Sequence, residues 1–144
     1  DEAITAINFL DEGRSGPPGT EIPPLLQECI RQLEEYFAGQ RQEFSLPLAP
    51  QGTAFQQQVW QYLLTIPFGK TVSYGDVARG IGSEKAVRAV GAANGRNPIP
   101  IIIPCHRVVG SNGTLTGYGG GLWRKKWLLE HEIRQTTPQQ MTMF

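Results

Sequence analysis

The sequence has 144 residues, 40% of them apolar, thirteen basic and thirteen acidic side chains, and two each of cysteine and histidine. That length suits one domain, or two small ones, around a real core. No apolar run approaches the ~20 residues of a membrane-spanning helix, and no basic-then-apolar leader opens the chain. Two cysteines without Cys-x-x-Cys spacing argue against a disulfide framework and a zinc ribbon, so a cytoplasmic protein is expected.

Charge is spread unevenly. Residues 1–50 carry three basic against nine acidic side chains, whereas residues 51–132 carry nine against four. An acidic front and a basic back point to a polyanion-facing surface on the second part. The opening Ala3-Ile4-Thr5-Ala6-Ile7-Asn8-Phe9-Leu10 alternates and is rich in β-branched residues, which predicts a strand. A lone strand is not stable, so the first strands of its sheet are expected to be missing. Gly13 to Gly19 is expected as a loop. Pro23-Pro24 opens a helix that presents Leu25, Leu26, Cys29, Ile30, Leu33, Tyr36 and Phe37 on one face and stops at Gly39. Phe44 to Leu48 predicts a short edge strand, and Pro50-Gln51-Gly52 a boundary between halves.

The second half begins with the capping-box spacing Thr53-x-x-Gln56 and a helix burying Phe55, Val59, Tyr62, Leu63 and Ile66. Ser73 precedes a short helix over residues 74–79, and Ser83 is expected to cap a second one over residues 84–93. Two short helices joined by a glycine-containing turn have the form of a helix-turn-helix. The second is small on one side, at Ala86, Ala89, Ala92 and Ala93, which suits close approach to a groove and equally suits a good helix former.

Ile103-Pro104-Cys105-His106-Arg107-Val108 then puts a thiol beside an imidazole. A thiol is nucleophilic only as thiolate, and a neighbouring imidazole with an arginine two residues on is an environment that lowers its pKa. The alternative is a buried strand with a structural cysteine and a satisfied histidine. Gly110-Ser111-Asn112-Gly113 carries a hairpin signal, and Gly117 to Gly121 a backbone-exposed loop. A final helix is expected from Leu122 to Glu132, and residues 134–144 as a disordered tail.

Ser73-Tyr74, Arg88-Ala89-Val90-Gly91, Asn97-Pro98, Ile103 to Val108, Gly117-Tyr118, Gly121, Lys125, Leu128-Leu129 and Glu132 occur in the order and spacing of one family. From Phe55 to Glu132 the chain resembles the O6-alkylguanine-DNA alkyltransferases. The resemblance implies an α+β protein. Residues 1–50 would form an N-terminal α/β, ribonuclease H-like domain lacking its first strands. Residues 51–133 would form a mostly helical domain for DNA binding and alkyl transfer.

It implies Cys105 as the alkyl acceptor, His106 as its base through a bridging water, and Glu132 as the group that holds the other imidazole nitrogen. Asn97 would tie the recognition helix to the acceptor loop. Arg88 would fill the gap left by an extruded nucleotide, with Tyr74 acting on phosphate and flipped base. Ala86, Ala89, Ala92, Ala93 and Arg96 would lie along the DNA, in the minor groove. Val108, Tyr118, Gly119 and Lys125 would belong to the guanine pocket.

The expected partner is double-stranded DNA with alkylated guanine, or O4-alkylated thymine, bound by a monomer, with cooperativity along DNA left open. The reaction is expected to be stoichiometric and irreversible. No cofactor is implied, and one cysteine with no histidine in residues 1–50 supports no zinc site there. The location would be the cytoplasm, on the nucleoid in a bacterium, or the nucleus in a eukaryote. The competing readings are a DNA-binding module without chemistry, such as a lesion sensor or regulator, and a Cys-His hydrolase.

Overall fold

A computed structural model describes residues 2–10, 22–116, 118 and 120–136. The expected loop over residues 13–19 and the tail beyond residue 136 lie outside them. In chain order the elements are α1 (Pro24–Phe37), α2 (Ala54–Leu63), β1 (Val72–Ser73), α3 (Tyr74–Gly80), α4 (Val87–Gly95), a single 3-10 turn (Cys105–Arg107), β2 (Val108–Val109) and α5 (Leu122–Thr136).

The N-terminal segment is not the regular strand its alternation predicts. Among the described residues only Ile4 of this segment pairs, in a parallel bridge with Leu48. Its amide donates to the Pro47 carbonyl at 2.8 Å and its carbonyl accepts from Ala49 at 2.7 Å. The Ile7 amide donates instead to the Pro98 carbonyl, at 2.8 Å. The segment is thus stitched between the edge of its own half and the loop after α4, and Phe44 to Leu48 likewise forms no ladder beyond that bridge.

Helix α1 starts at a proline in its first turn and ends on Gly39, whose φ of 78° is open to glycine without steric cost. Its apolar stripe is wider than its buried face. Cys29, Gln32 and Tyr36 are buried, whereas Leu26, Ile30 and Phe37 stay exposed. Gln32 is a buried amide that the hydrophobic pattern passes over. Its Nε2 donates to the Ser45 carbonyl at 3.3 Å and its Oε1 accepts from the Ser45 amide at 3.0 Å, which clips the segment before Leu48 onto α1.

Helix α2 begins on the expected capping box, with Thr53 and Gln56 exchanging bonds of 2.9 and 3.1 Å. It buries Val59, Trp60 and Leu63 against α4 and α3. Trp60 also donates from Nε1 to the Ala93 carbonyl at 2.9 Å, so one side chain both packs and aligns the second helix of the helix-turn-helix. Ser73 caps α3 in a second capping box with Asp76. The cap expected of Ser83 does not form. Residues 84–86 make a turn, the helix begins at Val87 with Ala86 before it, and no side chain caps it.

Strand β1 pairs in parallel with β2, Val72 opposite Val108 and Ser73 opposite Val109. This pair places the start of α3 beside the end of the Cys105 turn. Asn112-Gly113 closes a turn, the Gly110 amide donating to the Thr114 carbonyl at 2.8 Å, but among the described residues no antiparallel strand returns along β2. Helix α5 runs to Thr136, beyond the expected end at Glu132.

Leu63 is fully buried where α2 packs on its neighbours. Leu63→Ala is expected to lower unfolding free energy by ~2–5 kcal/mol, through lost transfer energy and the cavity left behind. Chemical denaturation with the slope held constant measures it.

Candidate active site

Cys105, His106 and Arg107 occupy one 3-10 turn and all three are buried. The turn is reached through Ile101, whose φ of 74° is an uncommon conformation for a β-branched residue and costs ~1–3 kcal/mol that its surroundings must hold. Two asparagines fix the turn from the α4 side. Asn97 donates from Nδ2 to the Ile103 carbonyl at 2.7 Å and accepts from the Ile99 amide at 2.9 Å. Asn94, buried near the end of α4, donates from Nδ2 to the carbonyl of Cys105 itself at 3.3 Å. The helix bearing Arg88 and the thiol therefore share two amide clamps.

Because the turn is not a strand, His106 and Arg107 do not point to opposite faces. Both reach the carboxylate of Glu132 on α5. Its Oε2 lies 2.6 Å from His106 Nε2, accepts from Arg107 Nη2 at 3.0 Å and accepts from the Tyr36 hydroxyl at 2.6 Å. Its Oε1 accepts from Arg107 Nε at 2.8 Å and from the Gly69 amide at 3.1 Å. Gly69 sits at φ 81°, and a Cβ there would meet the Thr136 side chain at 2.6 Å, so the close approach of that amide depends on glycine. Burial alone would raise the Glu132 pKa. The bonds and charges of His106 and Arg107 outweigh it and hold the carboxyl well below the usual carboxylate range.

With Nε2 engaged by Glu132, His106 keeps Nδ1, a buried nitrogen with no hydrogen-bond partner among the described residues. Burial lowers the His106 pKa, against the pull of Glu132, which favours the neutral ring a base requires. Burial likewise pushes the Cys105 thiol up, to about 11, with Asn97 and Lys125 only partly opposing it. This corrects the expectation of a thiol activated by Arg107. The guanidinium is committed to Glu132 and to the Ile66 carbonyl, 2.7 Å from Nη1. Cys105 is a thiol at rest and becomes a nucleophile only as its proton leaves.

The other expected residues separate into three groups. Arg88, Ala89, Ala92 and Arg96 are exposed along α4 and the residue after it, and Ala86 is half-buried at its start. Ala93 is in the core, 2% exposed, and does not belong to that face. Tyr74 opens α3 and donates from its hydroxyl to the Thr116 carbonyl at 3.1 Å.

Lys125 is fully buried, donates from Nζ to the same carbonyl at 2.7 Å, and lies 5.8 Å from the centre of the Tyr74 ring. Burial lowers its pKa to about 8, partly countered by the nearby Cys105. Val108 is buried behind the acceptor turn, and Tyr118 is buried with a hydroxyl that has no hydrogen-bond partner among the described residues. Gly119 lies outside the described residues. A cavity of about 250 Å³ opens beside the thiol, walled by Asn94, Asn97, Cys105, Tyr118, Gly120 and Phe9 among others. Among the described residues no group of three or more His, Cys, Asp or Glu is placed to hold a metal ion.

Sequence reasoning missed Tyr36, Gly69 and Asn94. Tyr36 reads as one more apolar residue on α1, and nothing in the pattern marks where its hydroxyl goes.

A thiol and an imidazole on the loop that follows a helix-turn-helix, with an ionised carboxylate brought to them by α5, define a nucleic-acid-directed protein whose chemistry runs through a cysteine. Residues 54–134 match the DNA-binding domain of the 6-O-methylguanine DNA methyltransferases, and residues 1–50 match their ribonuclease-like domain. The chain belongs to that family. It is 57% identical over 139 residues to a methylated-DNA–protein-cysteine methyltransferase of Methanosarcina barkeri, covering 92% of this chain and 85% of that one. Its fold is similar to the crystal structure of the Mycobacterium tuberculosis O6-methylguanine methyltransferase, with a TM-score of 0.79 and 50% identity over 91% of this chain and 81% of the other. It is also similar to the M. tuberculosis protein in complex with DNA, with a TM-score of 0.74 and 57% identity over 76% and 68% of the two chains.

The buried thiol has a direct test. With Cys105 carrying a ¹³Cβ label in a Cys29→Ala background, its resonance should stay at the thiol position through neutral pH and move only near pH 11, because the raised pKa keeps the proton on sulfur below it. A thiolate shift at or below pH 9 would contradict the burial argument.

Proposed function

We propose that this chain repairs duplex DNA by moving the alkyl group of an O6-alkylated guanine, or of an O4-alkylated thymine, onto Cys105. The observation that carries the reading is the arrangement at His106: Glu132 takes Nε2, and Nδ1 is buried without a hydrogen-bond partner among the described residues, on the side chain that follows Cys105 in one 3-10 turn. In the step, the thiol proton passes to His106, directly or through a water, as sulfur attacks the alkyl carbon. The carbon–O6 bond breaks, its electron pair goes to the base, and a proton returns to the restored guanine. The sulfur–carbon bond is a thioether with no route to reversal, so each chain acts once.

Electrostatic preorganisation supplies most of the help in this reading. Glu132 stays ionised and stabilises the imidazolium as it forms. Lys125, Tyr118 and Tyr74, all tied to the loop over the pocket, face the charge developing on the departing base. The lesion is itself the alkyl donor, so no cofactor is required.

Arg88, Ala89, Ala92 and Arg96 form the face that enters the DNA, in the minor groove. The small residues allow close approach, and Arg88 takes the place of the extruded nucleotide. Arg88 and Arg96 add the positive charge that phosphate binding uses. No helix among the described residues is long and apolar enough to cross a membrane. DNA as the substrate goes with action in the cytoplasm on the nucleoid, or in the nucleus of a eukaryote, by a monomer that is free to bind cooperatively. The division into a unit over residues 1–50 and a transfer unit over residues 51–133 belongs to the same reading.

Incubation with duplex DNA containing O6-methylguanine should add the mass of one methylene to the intact protein, located on Cys105. Tight binding with an unchanged mass would instead make the chain a lesion-binding module. Cys105→Ala should abolish transfer and leave DNA affinity within a few-fold. Arg88→Ala should slow transfer from duplex at least tenfold more than transfer from free O6-benzylguanine, since only the duplex requires extrusion; equal slowing would remove Arg88 from that role.

A further inference from the structure

Tyr36 lies in the acidic half of the chain, 96 positions before the carboxylate it touches. Its ring is held without help from the hydroxyl. Phe37, Phe44, Phe68 and His131 surround it with ring centres 5.2 to 6.1 Å away, and its backbone carbonyl lies 2.7 Å from His131 Nε2. Four rings thus pack against the Tyr36 ring independently of its hydroxyl. The hydroxyl donates to Glu132 Oε2, at the same 2.6 Å as the His106 ring nitrogen on that oxygen.

A carboxylate oxygen has a fixed charge to share, and each donor it accepts weakens its hold on the others. We infer that Tyr36 is a positioning residue for the alkyl transfer, whose hydroxyl competes with His106 for Glu132 Oε2 and so sets the basicity of the imidazole. The inference rests on the reading of His106 as the base. Burial, then the charge of Glu132, raises the phenol pKa well above its ordinary value, so Tyr36 remains a donor across the working range. The other groups facing this cluster are Arg107 on the same carboxylate, Lys125 and Cys105 on the His106 side, and Tyr118 and His131 on the Tyr36 side. None of them differs between the variants below. The consequence is that α1, outside the residues that match the DNA-binding domain, acts on the proton transfer.

The sign follows from the competition. Without the hydroxyl, Oε2 concentrates its charge on His106 Nε2–H, the imidazolium is better stabilised, and the His106 pKa rises. A stronger donor at the same place does the opposite.

The experiment is the single-turnover rate of transfer from free O6-benzylguanine against pH, which leaves DNA docking out of the readout. It compares the native chain, Tyr36→Phe, and a chain in which Tyr36 is replaced by 3-fluorotyrosine. The acid inflection, where His106 takes up a proton, should move up by roughly half to one pH unit in Tyr36→Phe and down in the fluorinated chain. The fluorinated chain keeps both ring and hydroxyl, so it decides the matter if Tyr36→Phe does not fold. Profiles that superimpose, with only the melting temperature changed, would overturn the inference and make Tyr36 structural. An acid limb missing from the native chain, together with a retained rate in His106→Gln, would remove the base assignment itself and this inference with it.

Discussion

One buried carboxylate organises this molecule. Glu132 accepts from Tyr36, Gly69, His106 and twice from Arg107, so α1, the turn after α2, the acceptor turn and α5 all meet at two oxygen atoms. Burying a charge of this kind costs several kcal/mol, and the cost is met only when the geometry is good and the remaining lone pairs are filled. Here every donor is in place. The arrangement then yields a carboxylate that stays ionised beside an imidazole that stays neutral, the combination a general base needs.

Helix α4 is built on a different principle. It keeps one face small and exposed at Arg88, Ala89 and Ala92, while its other face, with Val90, Ala93 and Asn94, is anchored by Trp60 and the core. Asn94 and Asn97 connect that anchored face to the acceptor turn. The backbone around Cys105 is thereby fixed relative to α4, with Ile101, at a φ of 74°, in the chain between them.

Much of this is legible in the residues. The Thr53 and Ser73 capping boxes, the α2 core positions Val59 and Leu63, and the pairing of Cys105 with His106 and Glu132 follow from local spacing and from the resemblance to one family. What is not legible depends on tertiary contacts. Alternation from Ala3 to Leu10 is a strand pattern, yet a strand requires a partner and only Ile4 has one. Ser83 is a good cap residue by type, but α4 starts four positions later, where the turn geometry allows. Ala93 looks like its neighbours on a small-residue stripe and is turned inward by the helical phase. The role of Arg107 was open because its direction depends on whether the backbone is a strand or a 3-10 turn. The thiol pKa is the clearest case, since the adjacent basic residues suggest activation while burial, invisible in sequence, dominates.

The bonds to Glu132 span 96, 63, 26 and 25 positions of the chain. Contacts of such separation each carry a loop-closure cost, so this site is assembled from tertiary contacts and not from any one local segment. A chain in which these contacts are open holds His106 without the carboxylate that engages its Nε2. Cys105 and His106 are neighbours in sequence, yet the geometry around them is a property of the whole fold.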